Sequence, residues 1–304
     1  MTTPTAAAIH PASADLLSST AAPGAVHLNV RDIDALTDFY TRVIGLHRIG
    51  PDTGDPVVLG APDGTAIVAL HDTPGAGRLD RRRPGLYHLA VLMPDRRELA
   101  VALMRLIRER YPLDGASDHL VSEALYLSDP EGNGIEIYRD RARDEWRVDA
   151  SGQVAMATLP LDLDALVGEL GDDPLAALST GNPRVPAGTK IGHVHLQVAD
   201  LGAAERFYAG TIGFDVTLRG FPGALFLSAG GYHHHLGLNT WHSRGAAPPE
   251  PGTAGLRYYE IHAGGDNALS DALDRLAAAG IAGEPVDGTT VFRDPSGNGV
   301  ALRP

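Results

Sequence analysis

Glu136 is the residue most in need of a chemical explanation. It lies in "DPEGNGIEIY", after a turn of Asp, Pro, Gly and Asn, in a strand that alternates Ile135, Glu136, Ile137, Tyr138. Nearly the same turn returns at 294–299 as Asp-Pro-Ser-Gly-Asn-Gly, and the strand after it carries Ala301 where the first copy carries Glu136. An unpaired buried carboxylate costs several kcal/mol, so a cation or a metal has to compensate Glu136. Histidines stand in comparable apolar strands: His88 in "GLYHLAV", and His193 and His195 in "GHVHLQV". A run of three, His233 to His235, follows in "GGYHHHLGLN", and His119 and Tyr126 precede Glu136. Taken singly, each has a plain reading: a hydrogen-bonded core histidine, a solvated strand end, a tyrosine at a core edge. The chain has no cysteine, which excludes disulfides, thiolate metal sites, iron–sulfur clusters and a Cys nucleophile. Any metal must be held by His, Asp or Glu.

The elements that position these residues are read from an internal repeat. "VHLNVRDIDALTDFYTRVIGL" (26–46) is similar to "VHLQVADLGAAERFYAGTIGF" (194–214), and "GLYHLAV" to "GLRYYEI". Each half divides again. "VHLNV" alternates as a strand, and Asp32 then caps an amphipathic helix bearing Leu36, Phe39, Tyr40 and Ile44. Short strands follow. "YHLAVLM" opens a second unit with a helix at 95–110 and strands at 122–128 and 134–139. The spacing predicts four strand–helix–strand–strand–strand units, over about 24–72, 84–141, 189–243 and 254–303. Residues 1–23, small, polar and broken by Pro, read as a mobile arm, and 142–188 as a linker with a helix near 162–170. The two halves, 24–141 and 189–304, are expected as two domains of two units each.

A net charge of −13 argues against nucleic acid or an anionic membrane as partner. No stretch approaches the run of about 20 apolar residues that spans a bilayer, and the N-terminus lacks the basic start and apolar run of a signal peptide. A cytoplasmic location is expected. Oligomeric state is left open, a homo-oligomer included.

This organisation resembles the vicinal oxygen chelate superfamily of glyoxalases, fosfomycin-resistance proteins and extradiol dioxygenases. The likeness rests on "VRDIDALTDFY", "VADLGAAERFY" and "DPEGNGIEIY" and covers nearly the whole chain after residue 24. It implies an α+β fold, four βαβββ units pairing into two cupped mixed sheets, with a metal bound inside a cup from first and last strands. At the first-strand ligand position the four units hold Ala25, His88, His193 and Tyr258, and at the last-strand position units 2 and 4 hold Glu136 and Ala301. Units 2 and 3 therefore supply the metal ligands His88, Glu136 and His193, with His195 ranked second to His193. Two His and one carboxylate are the facial triad of non-haem iron(II). Pairing 1 with 2 and 3 with 4 is usual in the family, but a complete site here requires 2 with 3, and so 1 with 4.

The same resemblance assigns the remaining polar residues. A Gly-Gly-x-His stretch in extradiol dioxygenases carries the acid–base residue, which His233 or His234 matches. Tyr126, ten residues before Glu136, matches the substrate-contacting tyrosine. His119 resembles a second active-site histidine, at a separation two residues shorter than the family's. His27 and His195, equivalent in the repeat, read as packing or supporting groups. The expectation is an Fe(II)-dependent extradiol dioxygenase of the catechol 2,3-dioxygenase type, acting on a small aromatic diol and O₂, with Mn(II) suiting the same ligands. The alternatives are another metal enzyme of the superfamily (lyase, isomerase or thiol transferase) and a metal-free protein that binds an aromatic compound.

Overall fold

The computed structural model describes residues 16–51, 54–147, 154–178 and 184–304. Of the expected N-terminal arm, residues 1–15 lie outside the described residues; Leu17 is buried, and its N–H donates to the Gly213 carbonyl.

Four βαβββ units are present. Unit 1 comprises β1 (Ala22–Val30), α1 (Ile33–Asp38), β2 (His47–Ile49), β3 (Val57–Gly60) and β4 (Ala66–Asp72). Unit 2 comprises β5 (Gly85–Leu92), α2 (Arg96–Arg108), β6 (Gly115–Asp118), β7 (Ser122–Ser128) and β8 (Gly134–Asp140). The connecting segment carries a short strand, β9 (Leu159–Pro160), and α3 (Leu163–Val167), which falls where a helix is expected. Unit 3 comprises β10 (Lys190–Gln197), α4 (Leu201–Phe207), β11 (Asp215–Leu218), β12 (Ala224–Ser228) and β13 (Leu236–Asn239). Unit 4 comprises β14 (Gly255–His262), α5 (Asp266–Ala278), β15 (Glu284–Val286), β16 (Thr289–Arg293) and β17 (Gly299–Arg303).

Repeated side-chain chemistry fixes the local structure. Asp32 and Asp200 accept from the backbone N–H three residues on, and so cap α1 and α4. Asp129 and Asp294 hold the two GNG turns by accepting from the backbone and side-chain nitrogens of Asn133 and Asn298. Each also receives the hydroxyl of a helix tyrosine, Tyr40 in the first half and Tyr208 in the second, at 3.1 Å. The "FY" and "DPxGNG" motifs thus bind each other, tying unit 1 to unit 2 and unit 3 to unit 4.

The sheets cross these ties. One runs β15-β16-β17-β14-β1-β4-β3-β2 and the other β11-β12-β13-β10-β5-β8-β7-β6-β9. Unit 1 therefore pairs with unit 4 and unit 2 with unit 3, the arrangement that a complete site requires. The two central contacts share a register: His195 lies opposite His88 across β10 and β5, and His27 opposite Tyr258 across β1 and β14. Alternation sends Ile135, Ile137, Leu89, Val91, Val194 and Leu196 into the main apolar core, which also takes Leu99 and Leu103 of α2 and Phe207 of α4. The opposite faces form the cups.

Candidate active site

Ala90 is the hub of the cup formed by units 2 and 3. It pairs with Glu136 on β8 and with His193 on β10. Its side chain is one methyl group, so its neighbours can lean over it. His88 Nε2 lies 3.0 Å and His193 Nε2 2.9 Å from the same Glu136 oxygen, Oε2. The two Nε2 atoms are 3.4 Å apart. All three residues are buried. Bonds of about 2.1 Å at right angles separate neighbouring donor atoms by about 3.0 Å, so this triangle has the dimensions of one face of a metal octahedron.

The electrostatics favour the same reading. Burial, the largest influence on Glu136, pushes its carboxyl up; the charges and hydrogen bonds of His193 and His88 outweigh it and hold the group well below the usual range. Burial lowers His88, with Glu136 acting in the opposite direction. Two imidazoles and a carboxylate, buried and with Nε2 and Oε2 atoms converging, form a donor set that suits a divalent cation once the imidazoles give up their Nε2 protons. His195 does not reach Glu136. Its ring stands 4.9 Å from that of His88, and its Nε2 has no hydrogen-bond partner among the described residues.

Tyr126 lies directly across from Glu136 on β7. Its hydroxyl is 2.7 Å from His119 Nε2, and His119 Nδ1 is 2.7 Å from the Ala157 carbonyl. A carbonyl only accepts, so His119 donates from Nδ1 and its Nε2 accepts the Tyr126 hydroxyl hydrogen. Burial and the neighbouring Glu136 push the Tyr126 phenol well above its usual value, which keeps that hydrogen in place. The orientation of the His119 ring is set by Ala157, a residue of the connecting segment.

The three-histidine run is not a solvated strand end: His233, His234 and His235 are all buried. His234 stands over the candidate metal ligands, its ring 4.2 Å from that of His193, and it lines the cavity. His233 points away, with Nε2 2.9 Å from Asp140 and Nδ1 2.8 Å from His234 Nδ1. Burial first, then the neighbouring His193 and His233, hold His234 well below the ordinary histidine value.

The cavity over these groups holds about 470 Å³, and His88, His119, Tyr126, Glu136, His193 and His234 all line it. Its other wall is aromatic, with Tyr87, Phe221, Phe226 and Trp241. The sequence reading did not single out Asp140, Tyr138, Tyr232 or this aromatic wall. Asp140 and Tyr138 had a signal, since 136, 138 and 140 share one face of an alternating strand. The wall had none, because it gathers residues from β5, β12 and loops.

The second cup lacks such a centre. Glu260 stands opposite Ala301, and Tyr258 stacks on His27 at 4.0 Å. Arg303 pairs with Glu260 and Arg257 with Asp287, while Tyr258, Val291 and Ala301 pack together. Among the described residues, His88, Glu136 and His193 are the only three His or carboxylate groups whose ligand atoms gather closely enough to hold a metal.

Paired βαβββ units with a His, His, Glu cluster in one cup define a glyoxalase- and dioxygenase-like metal fold. The chain belongs to the Glyoxalase/Bleomycin resistance protein/Dioxygenase superfamily, whose model matches residues 22–137 and 190–302. It is 40% identical over 275 residues to a catechol-2,3-dioxygenase of Bacillus subtilis (strain 168), covering 90% of this chain and 93% of that one. Among solved structures it is similar to a protein of Bacillus subtilis subsp. subtilis str. 168 described provisionally as a dioxygenase, with TM-score 0.59, 16% identity, and 93% and 86% of the two chains covered. Glyoxalase I of Zea mays is also similar, with TM-score 0.56, 18% identity, and 93% and 92% covered. At these identities the two structures speak to the fold alone.

Proposed function

We propose that the protein is an Fe(II)-dependent extradiol dioxygenase that opens a catechol-type ring beside its two hydroxyls and adds both atoms of O₂. The observation that carries this reading is the triangle of His88, Glu136 and His193, with one open side facing a cavity lined by His234 and Tyr126. The kinship with a protein named for that reaction supports it. The donor set suits Mn(II) as well.

His88, Glu136 and His193 would hold the metal, which when bound supplies a Lewis acid for the diol and an electron source for O₂. The chain's own groups handle protons and shape. Tyr126, its hydrogen engaged by His119, turns oxygen lone pairs to a substrate hydroxyl. A proton taken there lets the phenol hydrogen move on to His119. Neutral His234 is free to take a second proton and return it to the departing oxygen. The aromatic wall excludes water and stacks on the ring.

Protein reconstituted anaerobically with Fe(II), then given catechol and air, should turn yellow from a ring-opened semialdehyde. It should consume one O₂ per diol and stop when a strong Fe(II) chelator is added. No oxygen uptake across alkyl-, chloro- and carboxy-catechols and hydroquinones, with iron confirmed in the site, would move the assignment to an isomerase or a binding protein.

A further inference from the structure

Behind His234, and along the flank of His193, whose ring lies 4.9 Å from that of Tyr138 and 6.2 Å from that of His233, runs a chain of hydrogen bonds with no task in that mechanism. His234 Nδ1 meets His233 Nδ1 at 2.8 Å, and His233 Nε2 meets Asp140 Oδ1 at 2.9 Å. Tyr232 Oη lies 3.0 and 2.9 Å from the two Asp140 oxygens, and Tyr138 Oη lies 2.7 Å from Tyr232 Oη. His233 is fully buried, with the Trp146 ring 5.3 Å away.

The direction of every hydrogen in this chain follows from its end. An ionised carboxylate has lone pairs and no hydrogen, so both of its neighbours donate to it. Tyr232 spends its single hydrogen on Asp140 and accepts from Tyr138. His233 spends Nε2–H on Asp140, which in the neutral ring leaves Nδ1 as an acceptor. His234 must then donate from Nδ1, and its Nε2 keeps a lone pair. We propose that Asp140 is a positioning residue which, acting through His233, fixes His234 as the Nδ1–H tautomer, so that its free Nε2 is an acceptor for a proton of the diol. The functional consequence rests on the dioxygenase reading; the tautomers do not.

Asp140→Asn tests this with little change of volume. With its amide nitrogen turned to His233 Nε2 it donates, which reverses the chain: His233 then donates from Nδ1, and His234 carries its proton on Nε2. Nitrogen-15 NMR of histidine-labelled protein, with Zn(II) added as a diamagnetic metal, reads both rings directly. The wild type should show His233 protonated at Nε2 alone and His234 at Nδ1 alone. Asp140→Asn should invert both, and Tyr232→Phe, which leaves the carboxylate in place, should not. In turnover, Asp140→Asn should lose roughly 10²–10⁴ in kcat with catechol, the usual worth of a positioned acid–base group. It should lose at least tenfold less with 4-nitrocatechol, which ionises far more readily, whereas a merely structural lesion would slow both alike. Wild-type His234 protonated at Nε2, His233 protonated at both nitrogens, or an unchanged pattern in both Asp140→Asn and Asp140→Ala, the second of which offers His233 no acceptor in any amide orientation, would overturn the proposal. The NMR result decides the tautomers even if no diol is ever turned over, so a failed reaction and a failed relay are told apart.

Discussion

A methyl group decides where the candidate metal-binding atoms meet. Ala90 sits between Glu136 and His193, and any larger side chain there would push its two neighbours apart. Ala90→Leu should therefore abolish stoichiometric metal binding, measured by elemental analysis, although it removes no donor. His88→Ala, Glu136→Ala and His193→Ala should do the same, whereas His195→Ala should keep the metal because His195 does not reach Glu136. Full metal content in Glu136→Ala would remove the carboxylate from the centre. In the second cup, Ala301→Glu should create no site and should lower stability by a few kcal/mol, because it buries a carboxylate against Tyr258 and Val291. Much of this scale was legible in the sequence. A carboxylate between two isoleucines, with a methyl group at the repeated position, marks one cup as the candidate site and the other as packed. The choice between His233 and His234 was not legible. Three consecutive histidines in a turn carry no alternation, and only the tertiary contacts with Asp140 and His193 separate them.

At the scale of elements, the turns after β7 and β16 aim the last strands. Gly134 opens β8 so close to β5 that an added Cβ would lie 2.0 Å from the Tyr87 carbonyl oxygen and 3.1 Å from His88 Cβ. Gly134→Ala should therefore displace β8 from β5, lower stability by about 1–3 kcal/mol in denaturant unfolding, and weaken metal binding with it. Gly168→Ala, where an added Cβ meets nothing within 4 Å, should stay within about 0.5 kcal/mol of the parent. Equal effects from the two would show that crowding at β8 is not what demands glycine there. The elements themselves were readable because each is punctuated by chemistry, with Asp caps on helices and Asp-Pro-x-Gly-Asn-Gly before final strands. The connecting segment was harder to read. Its helix has a capping Asp162, but nothing local indicates that β9 pairs with β6 or that Ala157 orients His119.

At the scale of the whole molecule, each sheet takes one unit from each half, while Tyr40–Asp129 and Tyr208–Asp294 join the units within a half. Motif matching alone would pair adjacent units. The distribution of ligands over units 2 and 3 pointed to the observed pairing, because chemistry, unlike the repeat, differs between copies. Burying many neutral histidines also shapes the response to acid. His27 and His235 are lowered to about 3, burial being the main cause for each. Above about pH 6.5 both are neutral folded or unfolded. Below it the unfolded chain takes up protons that the folded protein refuses, so stability falls by about 1.4 kcal/mol per pH unit for each. Together they should cost roughly 3 kcal/mol between pH 6.5 and pH 5. Denaturant unfolding at these pH values checks this, and His27→Gln should halve the slope the pair contributes. No change across that interval would mean that the two rings charge as readily in the fold as outside it. No helix among the described residues is long and apolar enough to cross a membrane.

If the proposed chemistry is right, His88, Glu136 and His193 hold one metal ion. Anomalous scattering at the iron edge, from crystals of protein reconstituted anaerobically with Fe(II), tests it most directly. One strong peak per chain is expected, within bonding distance of both Nε2 atoms and the Glu136 carboxylate, and lost in Glu136→Ala. A peak elsewhere, or none in protein shown to be folded and given Fe(II), would contradict it.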